Sequence, residues 1–127
     1  MIGYTSVGTN DIARASAFYD ELFRIVGGER MMSDDTFVVW SSETAAGGAF
    51  MVTLPFDQNS ASVGNGVMVA VSVSSTEDVQ RVYEKALEMG AVDEGPPGDR
   101  GGNFYAAYFR DLDGNKLNAF TWLEEPT

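Results

Sequence analysis

The chain has 127 residues, 44% hydrophobic and 12% aromatic, with a net charge of −11 from 19 acidic and 8 basic side chains. This length suits one domain that buries roughly two thirds of its unfolded surface, and the acidic excess argues against binding a phosphate backbone. Histidine and cysteine are both absent, which removes the usual neutral-pH base, the common transition-metal ligands, disulfides, and Ser-His-Asp or Cys-His catalysis.

Residues 2–8, "IGYTSVG", read as a short strand. Thr9 or Asn10 is placed to cap a helix over Asp11–Val26, where Ile12, Ala15, Tyr19, Leu22 and Val26 recur at helical spacing and Gly27 ends the run. Strands are expected over 30–32 and 36–41, the second rich in β-branched and aromatic residues. "AAGG" at 45–48 reads as a turn, Ala49–Leu54 as a fourth strand, and Pro55–Asn65 as a linker. The clearest strand is Val67–Val73, with valine at every second position. Ser75 and Asp78 fit a capping box for a helix striped by Val79, Val82, Tyr83, Ala86 and Met89 and stopped by Gly90. A strand over 91–95, a long loop "GPPGDRGGN", and a hairpin of 104–110 and 116–123 complete the chain. The hairpin turns at Asp113-Gly114, residue types suited to a tight turn.

The order is strand, helix, three strands, a linker, and the same order again: module one over 1–54, linker 55–65, module two over 66–123. The helix-ending glycines Gly27 and Gly90 lie 63 residues apart (90 − 27). This argues for internal duplication. With eight strands, the expectation is an α+β fold of two βαβββ modules whose sheets curve into a shared open barrel or cup.

Few motifs carry chemistry. Asp111, Asp113 and Asn115 resemble part of a calcium loop, but Leu112 and Lys116 interrupt it and no Glu follows at the required distance, so they read as turn chemistry. The glycine-rich "GDRGG" does not join a strand to a helix, so it is no phosphate cradle. Paired carboxylates do not fall on inward strand positions. Arg100, in the same loop, reads either as a solvated cation or as a clamp for an anionic ligand. Aromatics stand on both faces of the strand holding Tyr105.

"GTNDIARASAFYDELF", "GNGVMVAVSV", "ALEMGAVDEGPPGDR" and "YAAYFRDLDGNKLNAF" together resemble the vicinal oxygen chelate superfamily of glyoxalase I, bleomycin-resistance proteins and extradiol dioxygenases. The likeness spans nearly the whole chain and lies nearest small bacterial glyoxalase-like proteins. It implies a cup that binds a divalent metal through His, Gln or Glu. Carried over by position, those ligands fall on Tyr4, Met68, Asn118 and Phe50 or Val52. That set lacks a normal metal-ligand combination. The expectation is therefore no metal and no cofactor, with metal-dependent activity in doubt but the cup retained.

The leading expectation is a protein that binds an apolar or aromatic small molecule, with pocket candidates Tyr4, Phe50, Met68, Arg100, Tyr105 and Asn118. A metal-independent lyase or isomerase using Tyr4 or Tyr105 as acid, and a non-catalytic dimerising paralogue, stand beside it. A homodimer is expected, with no nucleic-acid or membrane partner. No apolar run approaches the ~20 residues of a membrane span, and the N-terminus lacks a basic-then-apolar signal, so the expected location is the cytoplasm.

Overall fold

The computed structural model describes residues 1–42 and 48–123. The elements are β1 (Tyr4–Gly8), α1 (Ile12–Arg24), β2 (Glu29–Ser33), β3 (Phe37–Ser41), β4 (Ala49–Thr53), β5 (Val69–Ser72), α2 (Thr76–Glu88), β6 (Val92–Asp99), β7 (Phe104–Arg110) and β8 (Lys116–Trp122). The chain divides into two compact units, Met1–Val67 and Met68–Thr127. Each holds one βαβββ set, an α+β arrangement with an open four-stranded sheet. The turn expected at 45–48 lies outside the described residues save for Gly48. No helix among the described residues is long and apolar enough to cross a membrane.

In the first unit the strands run β1-β4-β3-β2, with β1 and β4 parallel and the other pairs antiparallel. Pairing of Val7 with Val52, Val52 with Val38 and Phe50 with Trp40 puts these residues on one face, beneath α1. There Tyr19 and Phe23 of the helix meet Phe50 at ring-centroid distances of 4.7 and 5.2 Å. The helix begins one residue later than the sequence reading: Asp11, extended at φ −148°, is the cap, and its carboxylate accepts from the Arg14 N–H. Thr9 and Asn10 do not cap. Thr9 Oγ1 bonds the Asp11 backbone, and Asn10 Oδ1 accepts from the Ala61 N–H at 2.6 Å. That bond fastens the 55–65 segment to the first unit, where the Ala61 side chain also lies against Gly8.

The second unit repeats the order as β5-β8-β7-β6, with β5 and β8 parallel. Ser75 caps α2, accepting from the Asp78 N–H at 3.1 Å, and Val79, Val82 and Ala86 are the buried residues of the helix. Gly90 follows the helix at φ +106°, a conformation L side chains rarely adopt. Two expectations are corrected here. The strand expected over Val67–Val73 pairs only over Val69–Ser72, because the Val67 N–H is taken up in a turn to the Gly64 carbonyl. The "GPPGDRGGN" stretch is not one loop, since β6 runs on through Pro96 and Pro97 to Asp99. It does so because β6 is a sheet edge and its register with β7 shifts between Gly95 and Gly98. Prolines fit where no partner strand requires their missing N–H.

Candidate functional site

Strand register assigns every side chain in each sheet to the helix-covered face or the helix-free face. In the first unit Tyr4 is 63% exposed and out of step with Val7, which places it on the helix-free face with Ser6 and Met51. Phe50 stands on the other face, within the aromatic cluster of Tyr19, Phe23 and Trp40. It is core beneath α1, and so is Val52 beside it. Phe50 is thereby corrected as a pocket candidate: a one-residue offset in a strand changes the face.

A hollow of about 350 Å³ near the end of α1 is lined by Asp20, Arg24, Gly27, Gly28, Glu29, Arg30 and Trp40. Three of its polar side chains, Asp20, Arg30 and Trp40, are joined by hydrogen bonds. Asp20 takes two bonds from the Arg30 guanidinium at 2.9 and 2.7 Å and one from the Trp40 indole N–H at 2.9 Å. Arg30 holds the Asp20 carboxyl below its ordinary value. This network ties α1 to the sheet. Nothing in the local sequence signals it, because the partners lie 10 and 20 residues away from Asp20.

The second unit gathers more chemistry on its helix-free face. Tyr105 is not there. Its hydroxyl accepts from Gln80 of α2 at 3.0 Å, which places it on the helix-covered side. Tyr108, three residues on, pairs directly with Asn118, and Ala106 pairs with Phe120. Along β8 the same face reads Lys116, Asn118, Phe120, Trp122. Phe104, Phe120 and Trp122 form an aromatic cluster with centroid distances of 5.1 to 6.1 Å. At the other end the Tyr108 ring carries two cations, the Arg100 guanidinium at 5.5 Å and the Lys116 ammonium at 5.6 Å from its centroid, inside cation–π range.

Asn118 lies between these ends, 2% exposed, and its Oδ1 has no hydrogen-bond partner among the described residues. The Arg100 guanidinium also donates to the Pro96 carbonyl, which holds it against the sheet edge. Gly95 permits this approach, because a β carbon there would sit 3.3 Å from Arg100 Nη2 and 3.2 Å from Tyr108 Cδ2. Arg110 is paired with Glu94 at 2.6 Å, which holds the Glu94 carboxyl below its ordinary value. The tight turn before β8 is built by Asp111, whose carboxylate accepts from the Asp113 and Asn115 N–H groups and from the Asn115 amide. Met68, 42% exposed, precedes the first paired residue of β5. The structure thus brings Arg100 and Asn118 together through Tyr108, and leaves Tyr105 and Phe50 on the helix-covered faces of their own sheets. Lys116, Phe120 and Trp122 escape a reading that asks only for reactive groups, although "KLNAFTW" shows them in its alternation.

The family's metal does not fit these residues. The positions that would hold it offer a phenol, a thioether and a neutral amide, with Phe50 packed into the core. None is a strong ligand for a divalent ion. The described residues contain no group of three or more His, Cys, Asp or Glu side chains able to hold a metal.

Comparison with known proteins agrees with the fold. A glyoxalase/bleomycin resistance protein from Albidiferax ferrireducens is 30% identical over 99% of both chains, with a TM-score of 0.86. A glyoxalase/bleomycin resistance protein/dioxygenase family enzyme from Burkholderia phytofirmans is 18% identical, covering 95% of this chain and 98% of its own, with a TM-score of 0.74. A glyoxalase-titled structure from Bacillus halodurans, 18% identical over 95% of each chain, superposes with a TM-score of 0.76. No curated protein matches the chain. The model of the Glyoxalase/Bleomycin resistance protein/Dioxygenase superfamily matches residues 1–119, and the chain belongs to that superfamily.

Proposed function

We propose that this protein binds an apolar or aromatic small molecule without metal catalysis, on the helix-free face of its second sheet. The row Lys116, Asn118, Phe120 and Trp122 carries the reading. It sets aromatic surface beside one buried amide whose oxygen has no partner. Binding sites for small molecules combine apolar walls with a few placed polar groups in this way. Tyr105 gives no support to a tyrosine acid on this face, because its side chain lies on the helix-covered side, where its hydroxyl accepts from Gln80 of α2. The proposal includes a homodimer. It is supported by the many large apolar side chains left exposed, among them Met31, Met32, Phe56 and Val92.

Calorimetric titration with a neutral naphthyl alcohol tests the site. The expected result is about one saturable site per chain. Trp122→Ala removes an exposed aromatic contact and is expected to weaken binding about fivefold, since such a contact contributes about 1 kcal/mol. Absence of saturable binding by the wild-type protein overturns the proposal.

A further inference from the structure

We infer that the ligand of this face is an aromatic carboxylate, its ring on Phe120 and Trp122 and its anionic group at Arg100 and Lys116. The inference rests on the small-molecule reading above and adds the charge and the direction of the ligand. Its first support is the pairing of the cations. Arg24, Arg30, Arg81, Lys85 and Arg110 each form an ion pair with a carboxylate. Arg100 and Lys116 form none among the described residues, yet both are drawn to one ring, that of Tyr108. Two cations without a carboxylate partner beside one ring make a local positive field that an anion would neutralise.

Asn118, which pairs with Tyr108, keeps a buried oxygen without a donor among the described residues. That oxygen is an acceptor, so it suits a hydroxyl or N–H of a ligand and is no partner for the carboxylate, which brings only acceptors. Near this end Arg110 and Glu94 neutralise each other at 2.6 Å, and the Asp93 carboxylate, which also acts on Glu94, accepts from the Tyr83 hydroxyl and the Gly95 N–H. Lys116 also acts on Glu94, but at no ion-pair distance. The chain's net charge of −11 repels anions at long range, so this local pair has to be what selects one.

The second support is direction. Lys116 and Phe120 lie four residues apart on one strand, about 13 Å at the usual rise. The Lys116 ammonium reaches the ring of Tyr108, which pairs with Asn118, the position between Lys116 and Phe120 on this face. A charge-assisted hydrogen bond contributes about 1.5–3 kcal/mol, which is about tenfold or more in affinity.

The test compares naphthalene carboxylate with the neutral naphthyl alcohol of the same skeleton, by calorimetry on the full chain at neutral pH. Wild type is expected to bind the carboxylate about tenfold or more tightly. Arg100→Gln and Lys116→Met, made separately, are each expected to lower that ratio severalfold. Circular dichroism checks that each variant is folded, and either one suffices. Equal affinity for the two probes, or a ratio that neither variant lowers, overturns the inference while leaving the small-molecule site standing. Failure of both probes overturns the site and the inference together.

Discussion

Asn118 tests stability and binding against each other. Its Oδ1 is buried and unpartnered, and such an atom costs about 1–3 kcal/mol. Asn118→Leu keeps the volume and removes the orphan. The variant is expected to melt a few degrees higher, ~3–5 °C, and to bind the naphthyl alcohol, whose hydroxyl can donate to that oxygen, more weakly. A lower melting temperature would instead make Asn118 a structural residue. Asp20 behaves in the opposite way. Three hydrogen bonds converge on its carboxylate, and the bonds from Arg30, first among the causes, hold its pKa below the ordinary 3.8. A carboxyl depressed in the folded state stabilises fully above its unfolded value, and that contribution disappears as pH falls through the folded one. Asp20→Asn is expected to cost about 1–2 kcal/mol at neutral pH. Urea melts at stepped pH should show the gap to wild type closing below pH 3.8. A gap independent of pH would remove charge from the explanation.

At the scale of elements, both helices are placed by residues just before them and stopped by glycine just after. α2 adds Glu77 and Asp78 in its first turn, which favours its positive N-terminal end. Ser75→Ala removes the acceptor for the Asp78 N–H and is expected to cost about 1 kcal/mol in denaturant unfolding, with Ser75→Asp restoring most of it. An Ala variant as stable as wild type would show that packing alone holds the helix. The strands teach a different lesson. Alternation in "KLNAFTW" reports which residues share a face, but which face receives the helix depends on the partner strand. Phe50 and Tyr105 read as pocket residues by residue type, and both lie on the helix-covered face of their own sheet. Pro96 and Pro97 are ordinary loop signals, and β6 admits them because it is an edge strand with shifted register.

At the scale of the whole molecule, composition already constrains metal chemistry. A chain with no histidine and no cysteine, whose candidate positions hold Tyr4, Met68, Phe50 and Asn118, lacks the donors a transition metal needs. Elemental analysis of untagged protein is expected to give far less than one zinc, nickel or iron per chain, and a stoichiometric value would reverse that reading. Light scattering at micromolar concentration is expected to report a dimer, and a lone 13.7 kDa species would count against it.

The element order, both helix stops, the Ser75 cap and the 113–114 turn were legible in the chain itself, because caps, turns and hydrophobic period act over a few residues. So was the family, through the order of its segments. The Asp20–Arg30–Trp40 tie, the side on which each sheet meets its helix, and the approach of Arg100 and of Lys116 to the Tyr108 ring were not. These depend on register between strands far apart in sequence. A one-residue slip exchanges the faces of a strand, and only the paired sheet selects between the two.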